Sequence, residues 1–211
     1  MKNKLNLSIA LIVLAGFCVK SYAQILWGIK VAPVASVWSE SGNLYCGSDY
    51  KAGFAAGIQA DYNFSKNFSV EAEANYQTKG SKADFTVNQV DEKINRNISY
   101  LNIPLKLKAN FSDELGLNES WSSFFYTGPY YSILLKAADK YDGKDISELT
   151  RIEDTVSDKD MGLIFGIGAS KKVKSIAIFT DLRYEMGLYE IYEADKDLRN
   201  KSVSIAFGIK L

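Results

Sequence analysis

The 211-residue chain contains no histidine. That absence removes the usual general base near neutral pH and the commonest metal ligand, and so weighs against catalysis and a cofactor or metal centre. Cysteine is almost missing as well. Of the two present, Cys18 lies in an apolar leader and Cys46 alone remains behind it, so the mature chain has no internal disulfide. Cys46 reads as a plain thiol. After the leader no apolar stretch approaches the roughly 20 residues of a spanning helix, so a membrane location would require a closed barrel. An excess of positive charge is lacking too. Removing Lys2, Lys4 and Lys20 with the leader takes the basic residues from 25 to 22 against 25 acidic ones, a net charge of −3. That balance gives no support to nucleic acid as a partner.

The leader itself, "MKNKLNLSIALIVLAGFCVKSYAQ", has Lys2 and Lys4 followed by an apolar run from about Leu5 to Val19. It ends in Ser21-Tyr22-Ala23, with small residues at the two positions that a signal peptidase reads. Residues 1–23 therefore read as a secretory signal peptide cleaved before Gln24. Phe17 before Cys18 does not suit lipid attachment, which wants a small residue there. Residues 24–211 suit one domain.

What the mature chain has in abundance is two-residue alternation, the mark of a strand with two unlike faces. In "VEAEANYQTK", Val70, Ala72, Ala74 and Tyr76 oppose Glu71, Glu73, Asn75, Gln77 and Lys79. The pattern recurs eight times. Trp27, Ile29, Val31, Ala35 and Val37 form the apolar side of a first strand, with Pro33 a blemish tolerable near an edge or bulge. Phe54, Ala56, Ile58, Ala60, Tyr62 and Phe64 mark a second, and Leu101, Ile103, Leu105 and Leu107 a fourth. In the fifth, "FFYTGPYYSILLK", both faces are apolar or aromatic; Phe125, Tyr131, Ile133 and Leu135 are assigned to the apolar side. The sixth, seventh and eighth carry Met161, Leu163, Phe165, Ile167; Ile176, Ile178, Leu182, Tyr184, Met186; and Val203, Ile205, Phe207, Ile209, Leu211.

Connections alternate in length. Ser65–Asn67 and Lys172–Lys174 are short, whereas about Ser39–Tyr50, Gly80–Asn97, Ala137–Asp160 and Tyr189–Asn200 read as long polar loops. The stretch Asn110–Ser120 is longer than an ideal turn. Tight turns at one end and long loops at the other are the asymmetry of an outer-membrane barrel.

Periodicity alone does not say which face meets water, since a lipocalin-like carrier also alternates. Four features decide for lipid outside. Strands of about eleven residues, tilted by around 40°, span the hydrocarbon layer. Aromatic residues (Trp27, Tyr62, Phe64, Phe68, Tyr76, Tyr184) collect near strand ends on the apolar side. The polar side is rich in Gly, Ser and Asn, small enough for the narrow inside of eight strands. The chain is exported and ends on a strand. The expectation is an all-β, eight-stranded, antiparallel, up-and-down transmembrane barrel.

Charges in such a lumen are costly unless paired. If Lys79 pairs near Ile98, then Glu71 falls opposite Lys106, and the short hairpin at Ser65–Asn67 brings Asp61 beside Glu71. The predicted network is Asp61, Glu71, Glu73, Lys106 and Lys108, with a second group of Asp181, Arg183 and Glu185: an ionic plug rather than an acid–base site. "GIGASKK", Gly166–Lys172, lacks the spacing of a phosphate loop and its glycines alternate on one strand face. The acidic stretch from Ala137 to Asp160 (Asp139, Asp142, Asp145, Glu148, Glu153, Asp154, Asp158, Asp160) lacks EF-hand spacing and reads as a solvated loop, with a bridging divalent cation the alternative.

The segments "YLNIPLKLK", "FFYTGPYYSILLKA", "DMGLIFGIGAS", "DLRYEMGL" and "VSIAFGIKL", in that order, resemble the PorT-like outer-membrane β-barrel family of Bacteroidota. The resemblance covers about Gln24 to Leu211. It implies an eight-stranded barrel inserted by the outer-membrane assembly machinery, and a link to type IX secretion through the family's namesake. It carries over no catalytic residues; outer-membrane barrel enzymes resemble one another in using a histidine. The assembly machinery usually reads a last strand ending in an aromatic residue; here the terminal residue is Leu211, with Phe207 four residues earlier. The expected role is therefore non-enzymatic, exerted through the outer loops or an envelope protein partner, by a monomer in contact with outer-membrane lipid and lipopolysaccharide. A small-solute channel and a soluble lipocalin-like binding protein are the alternatives.

Overall fold

A computed structural model describes residues 25–39, 48–87, 90–112, 115–116, 120–141, 144–150, 156–191 and 198–211. The signal peptide, Cys46, and Asp142, Glu153 and Asp154 of the acidic stretch lie outside these. Eight long strands run up and down: β1 Ile25–Ser39, β2 Lys51–Asn63, β3 Phe68–Val87, β4 Val90–Asn110, β5 Trp121–Tyr141, β6 Lys159–Val173, β7 Ile176–Glu190 and β8 Arg199–Lys210. Every neighbouring pair is antiparallel, and β8 returns to β1 through Gly28↔Lys210 to Ser39↔Arg199. The sheet is thus a closed barrel without a free edge through the membrane. Two-residue pieces at Ser48–Asp49 and Lys144–Asp145 extend it, and Ser147–Thr150 forms one helical turn.

The orientation is inside-polar and outside-apolar. Glu71, Glu73, Lys106 and Arg183 are each at most 4% exposed, while Trp27, Ile29, Leu105 and Phe207 are more than half exposed. Water would not tolerate that outer surface at such extent, whereas lipid tails require it. The soluble carrier is excluded by this arrangement. The short turns and both chain ends share one rim, which the rule for bacterial barrels makes periplasmic. Between β6 and β7 only Lys174 and Ser175 turn, with Lys174 at φ 58°.

The outer rim departs from the sequence reading. Gly80–Asn97 is not a loop: β3 and β4 stay paired from Gly80↔Asn97 to Val87↔Val90. Likewise β5 continues past Ala137 to Tyr141, paired on both sides. Alternation in apolarity ends at the membrane surface, but the backbone ladder needs no lipid and carries on among polar residues. A tall sheet therefore stands above the bilayer on the β3–β5 side.

A phase change accompanies it. Ser99 pairs with Lys136 but Tyr100 pairs with Leu134, so Leu135 is bulged out of the ladder. Past the bulge the odd positions Ala137 and Asp139 point inward, whereas before it the even ones, Tyr126, Tyr130 and Ser132, do. Val37 keeps the face assigned to it, since the register with β8 runs unbroken from Val34↔Ser204 to Ser39↔Arg199, but it is buried, as are Ser36 and Trp38 beside it. At this height β1 has left the lipid belt.

Candidate functional site

The lumen is the chemically dense part of the molecule. Its lining follows from pairing: directly opposed residues share a face, so Asp61↔Glu71↔Lys106 form one lateral row across β2, β3 and β4. Three tiers of ion pairs result.

In the periplasmic tier, the Lys108 ammonium lies 2.9 Å from Asp61 Oδ2 and 2.9 Å from Glu71 Oε2. Lys210, from the closing strand, reaches the same two oxygens at 2.7 and 2.8 Å. In the middle tier, Lys106 donates to Glu71 Oε1 at 2.5 Å and also to Glu73. Glu73 is the hub. Lys30 and Lys106 both donate to it, Arg183 Nη1 reaches it at 3.3 Å, and Asn75 Nδ2 donates at 2.8 Å. Arg183 also forks onto Asp181 through Nε at 2.9 Å and Nη2 at 3.1 Å. The Tyr126 hydroxyl donates to Asp181 Oδ1 at 2.6 Å.

In the outer tier, Lys79 sits between Glu185 Oε2 at 2.9 Å and Asp160 Oδ2 at 3.3 Å. Gln77 and Asn102 donate to Glu185 at 2.9 and 3.1 Å, and Asn200 donates to Asp160 at 3.0 Å. Above this tier Trp38, Ile98, Tyr100, Ala137, Val156 and Ile191 pack into an apolar cluster, with Arg96 stacked 5.5 Å over Trp38.

All eight residues singled out from the sequence line the lumen, in a different grouping from the one expected. Asp181 and Arg183 join Glu73, whereas Glu185 stands apart with Lys79. Lys30, Lys79, Lys210 and Asp160 were missed. Lys30, Lys79 and Lys210 occupy polar-side positions of their strands, so closing β8 onto β1 on paper would have found Lys30 and Lys210.

A further feature went unread. Rings on one strand lie flat over glycines paired directly with them: Tyr130 on Gly162, Tyr126 on Gly166, Phe124 on Gly168 and Phe179 on Gly208. A Cβ at Gly166 would stand 2.3 Å from Tyr126 Cζ, so the glycine is required for the ring to lie there. The glycines of "GLIFGIGAS" thus make room for aromatic rings, and those rings carry the ammoniums. Lys106 lies 4.2 Å from the Tyr126 centroid, Lys108 4.3 Å from Phe124, and Lys79 4.6 Å from Tyr130. Gly166–Lys172 lies wholly within strand β6.

Among the described residues seven acids and seven bases are buried, so the interior is electrically self-balanced. Each carboxylate in the three tiers meets at least one cation, and hydroxyls complete several of them: Ser202 donates to Glu185 at 3.3 Å, and Tyr130 to Asp160 at 3.3 Å. A closed, lipid-facing barrel with a charge-filled axis defines a small outer-membrane protein. Residues 20–193 match the family model described as outer membrane protein beta-barrel domain, and the chain belongs to that family. No curated protein matches the sequence. Among solved structures it is similar to Neisserial surface protein A, at 13% identity over 90% of this chain and 99% of the other, with a TM-score of 0.53. The outer membrane protein OprG from Pseudomonas aeruginosa is similar at 16% identity over 88% and 95%, with a TM-score of 0.50. At such identities these likenesses concern the fold.

Proposed function

We propose that this chain is a sealed, non-enzymatic barrel whose work is done outside the hydrocarbon layer. The observation that carries the reading is the continuous ion-paired filling from Lys210 to Asp160, capped by the Trp38–Ile98–Tyr100 cluster. An eight-stranded barrel has room inside for side chains and little else. Here those side chains neutralise and hydrogen-bond one another, which opposes both ion conduction and acid–base chemistry. The absence of histidine supports the same reading.

The tall β3–β5 sheet is then the surface available to an envelope protein partner. A role alongside type IX secretion is supported by the sequence resemblance to the PorT-like family. The protein is exported by residues 1–23, inserted by the barrel-assembly machinery, and works as a monomer. Planar-bilayer recording of the purified barrel tests the reading. A silent membrane is expected; steady unitary current steps would replace it with a small-solute channel.

A further inference from the structure

The buried charges balance over the whole lumen but not tier by tier. The connected network around Glu73 holds five bases against four acids. The outer tier has the opposite excess, with Lys79 alone between Asp160 and Glu185. Arg183 stands two residues below Glu185 on the same face of β7, but its guanidinium is taken up by Glu73 and Asp181. Among the described residues, one negative charge of the outer tier therefore has no cation in contact with it.

The excess can be located. Glu185 is fully engaged: Oε2 accepts from Lys79, Gln77 and Ser202, and Oε1 accepts from Asn102. Asp160 is not. Its Oδ2 takes Lys79 at 3.3 Å and the Asn200 amide at 3.0 Å. That leaves Oδ1 with only the Tyr130 hydroxyl, 3.3 Å away and shared with Oδ2. Beside it Asn200 is 1% exposed, and its Oδ1 is buried without a donor.

The backbone brings a third oxygen to the same place. The β7–β8 ladder slips between Arg199 and Lys201, a bulge at Asn200 where it faces Gly187. A Cβ at Gly187 would meet the Asn200 carbonyl oxygen at 2.7 Å, the Asn200 amide nitrogen at 3.1 Å and Asp160 Oδ1 at 3.3 Å. Gly187 has no positive φ that would require glycine. What it provides is room, beside an under-satisfied carboxylate oxygen and a carbonyl.

We infer that Asp160, Asn200 and the cradle at Gly187 form a binding site for a monovalent alkali cation. The donor set is carboxylate, amide and carbonyl oxygen, with neither nitrogen ligand nor sulfur, which suits a hard ion. Charge chooses the valence. One positive unit brings the outer tier to neutrality, whereas a divalent ion would leave an excess beside the Lys79 ammonium. A water molecule would donate to two of these oxygens and leave the charge untouched. The site lies beneath the Trp38–Ile98–Tyr100 cluster, so the ion is a resident of the sealed lumen and not a permeant one. It thereby goes beyond the function proposed above.

The test uses the whole barrel, refolded in nonionic micelles and unfolded by heat. Ionic strength is held constant while sodium or potassium chloride is exchanged for N-methyl-D-glucamine chloride, whose cation is too large for the cradle. With a dissociation constant of about 10 mM, about 300 mM alkali cation would raise the folded-to-unfolded ratio about thirtyfold, an upward Tm shift of about 4–8 °C. Asp160→Asn keeps the shape and removes the charge, and Gly187→Ala puts a methyl into the cradle; both should lose the shift. Asp145→Asn, at an exposed outer turn, should keep it. The heat-dependent gel shift of the barrel controls for folding of each variant, and NMR relaxation of the sodium nucleus reads binding to the unaltered chain. Equal Tm values in all three salts, an undiminished shift in folded Asp160→Asn, or a larger shift with calcium chloride would each overturn the inference. A silent bilayer alongside any of these results would leave the sealed-lumen reading standing.

Discussion

Replacing Glu73 with glutamine should be the most damaging isosteric change in the lumen. The substitution preserves volume and removes the negative charge alone. In the wild type that carboxylate is shared by Lys30, Lys106 and Arg183, all at most 4% exposed. The connected network around it contains five bases (Lys30, Lys106, Lys108, Arg183, Lys210) and four acids (Asp61, Glu71, Glu73, Asp181). Glu73→Gln therefore leaves five bases facing three acids. Removing one partner of a buried pair costs about 3–5 kcal/mol; Lys30 loses its carboxylate partner, and Lys106 and Arg183 keep only Glu71 and Asp181, which places this change at the upper end. For a chain of this size that is a fall in Tm of about 10–20 °C.

Lys106→Met gives the internal comparison. It leaves four bases facing four acids, and both carboxylates keep other cations: Lys108 and Lys210 for Glu71, Lys30 and Arg183 for Glu73. Its cost should fall at the lower end, about 3 kcal/mol. Both variants can be unfolded by heat or urea in lipid vesicles, with fluorescence from the three tryptophans as the readout. A drop of less than about 3 °C for Glu73→Gln, or a larger loss for Lys106→Met than for Glu73→Gln, would refute the claim that charge balance holds the lumen together.

Three smaller predictions follow from the same geometry. Tyr126→Phe removes the donor to Asp181 but keeps the ring under Lys106, so urea unfolding should show a loss of about 1–2 kcal/mol. Gly166→Ala drives a methyl into the Tyr126 ring, which Lys106 and Asp181 hold in place; a loss of about 1–3 kcal/mol is expected, and less in the Tyr126→Ala background, where a double-mutant cycle measures the coupling. Lys174→Gly relieves a left-handed backbone at φ 58° and should unfold no sooner than wild type, whereas Lys174→Val should lose about 1 kcal/mol or more.

Much of this fold could be read directly along the chain. A strand has a period of two, so Val70-Glu71-Ala72-Glu73 states its two faces locally, as do the other strands except the fifth, which is apolar or aromatic on both sides. The choice between lipid and water also lay in composition, because small polar residues on one side and large apolar ones on the other fit a narrow barrel in a membrane. Pairing through the tight Ser65–Asn67 hairpin even placed Asp61 beside Glu71 and Lys106. These are local or nearest-strand relations, and neighbouring strands inherit their register from short turns.

What tertiary structure alone decided depends on distance across the barrel. Closure brings Lys210 within 2.7 Å of Asp61, 149 residues away, and the curvature of the wall carries Arg183 to Glu73 and Lys79 to Glu185. No alternation encodes those meetings, since they cross the lumen rather than follow the ladder. The bulge at Leu135, the burial of Val37 and the continuation of β3 and β4 to Val87 and Val90 were also invisible in the pattern. Above the lipid surface a hydrogen-bonded sheet persists without the apolar repeat that announces it. Sequence specified which way each side chain faces; the closed cylinder determined which charges meet there.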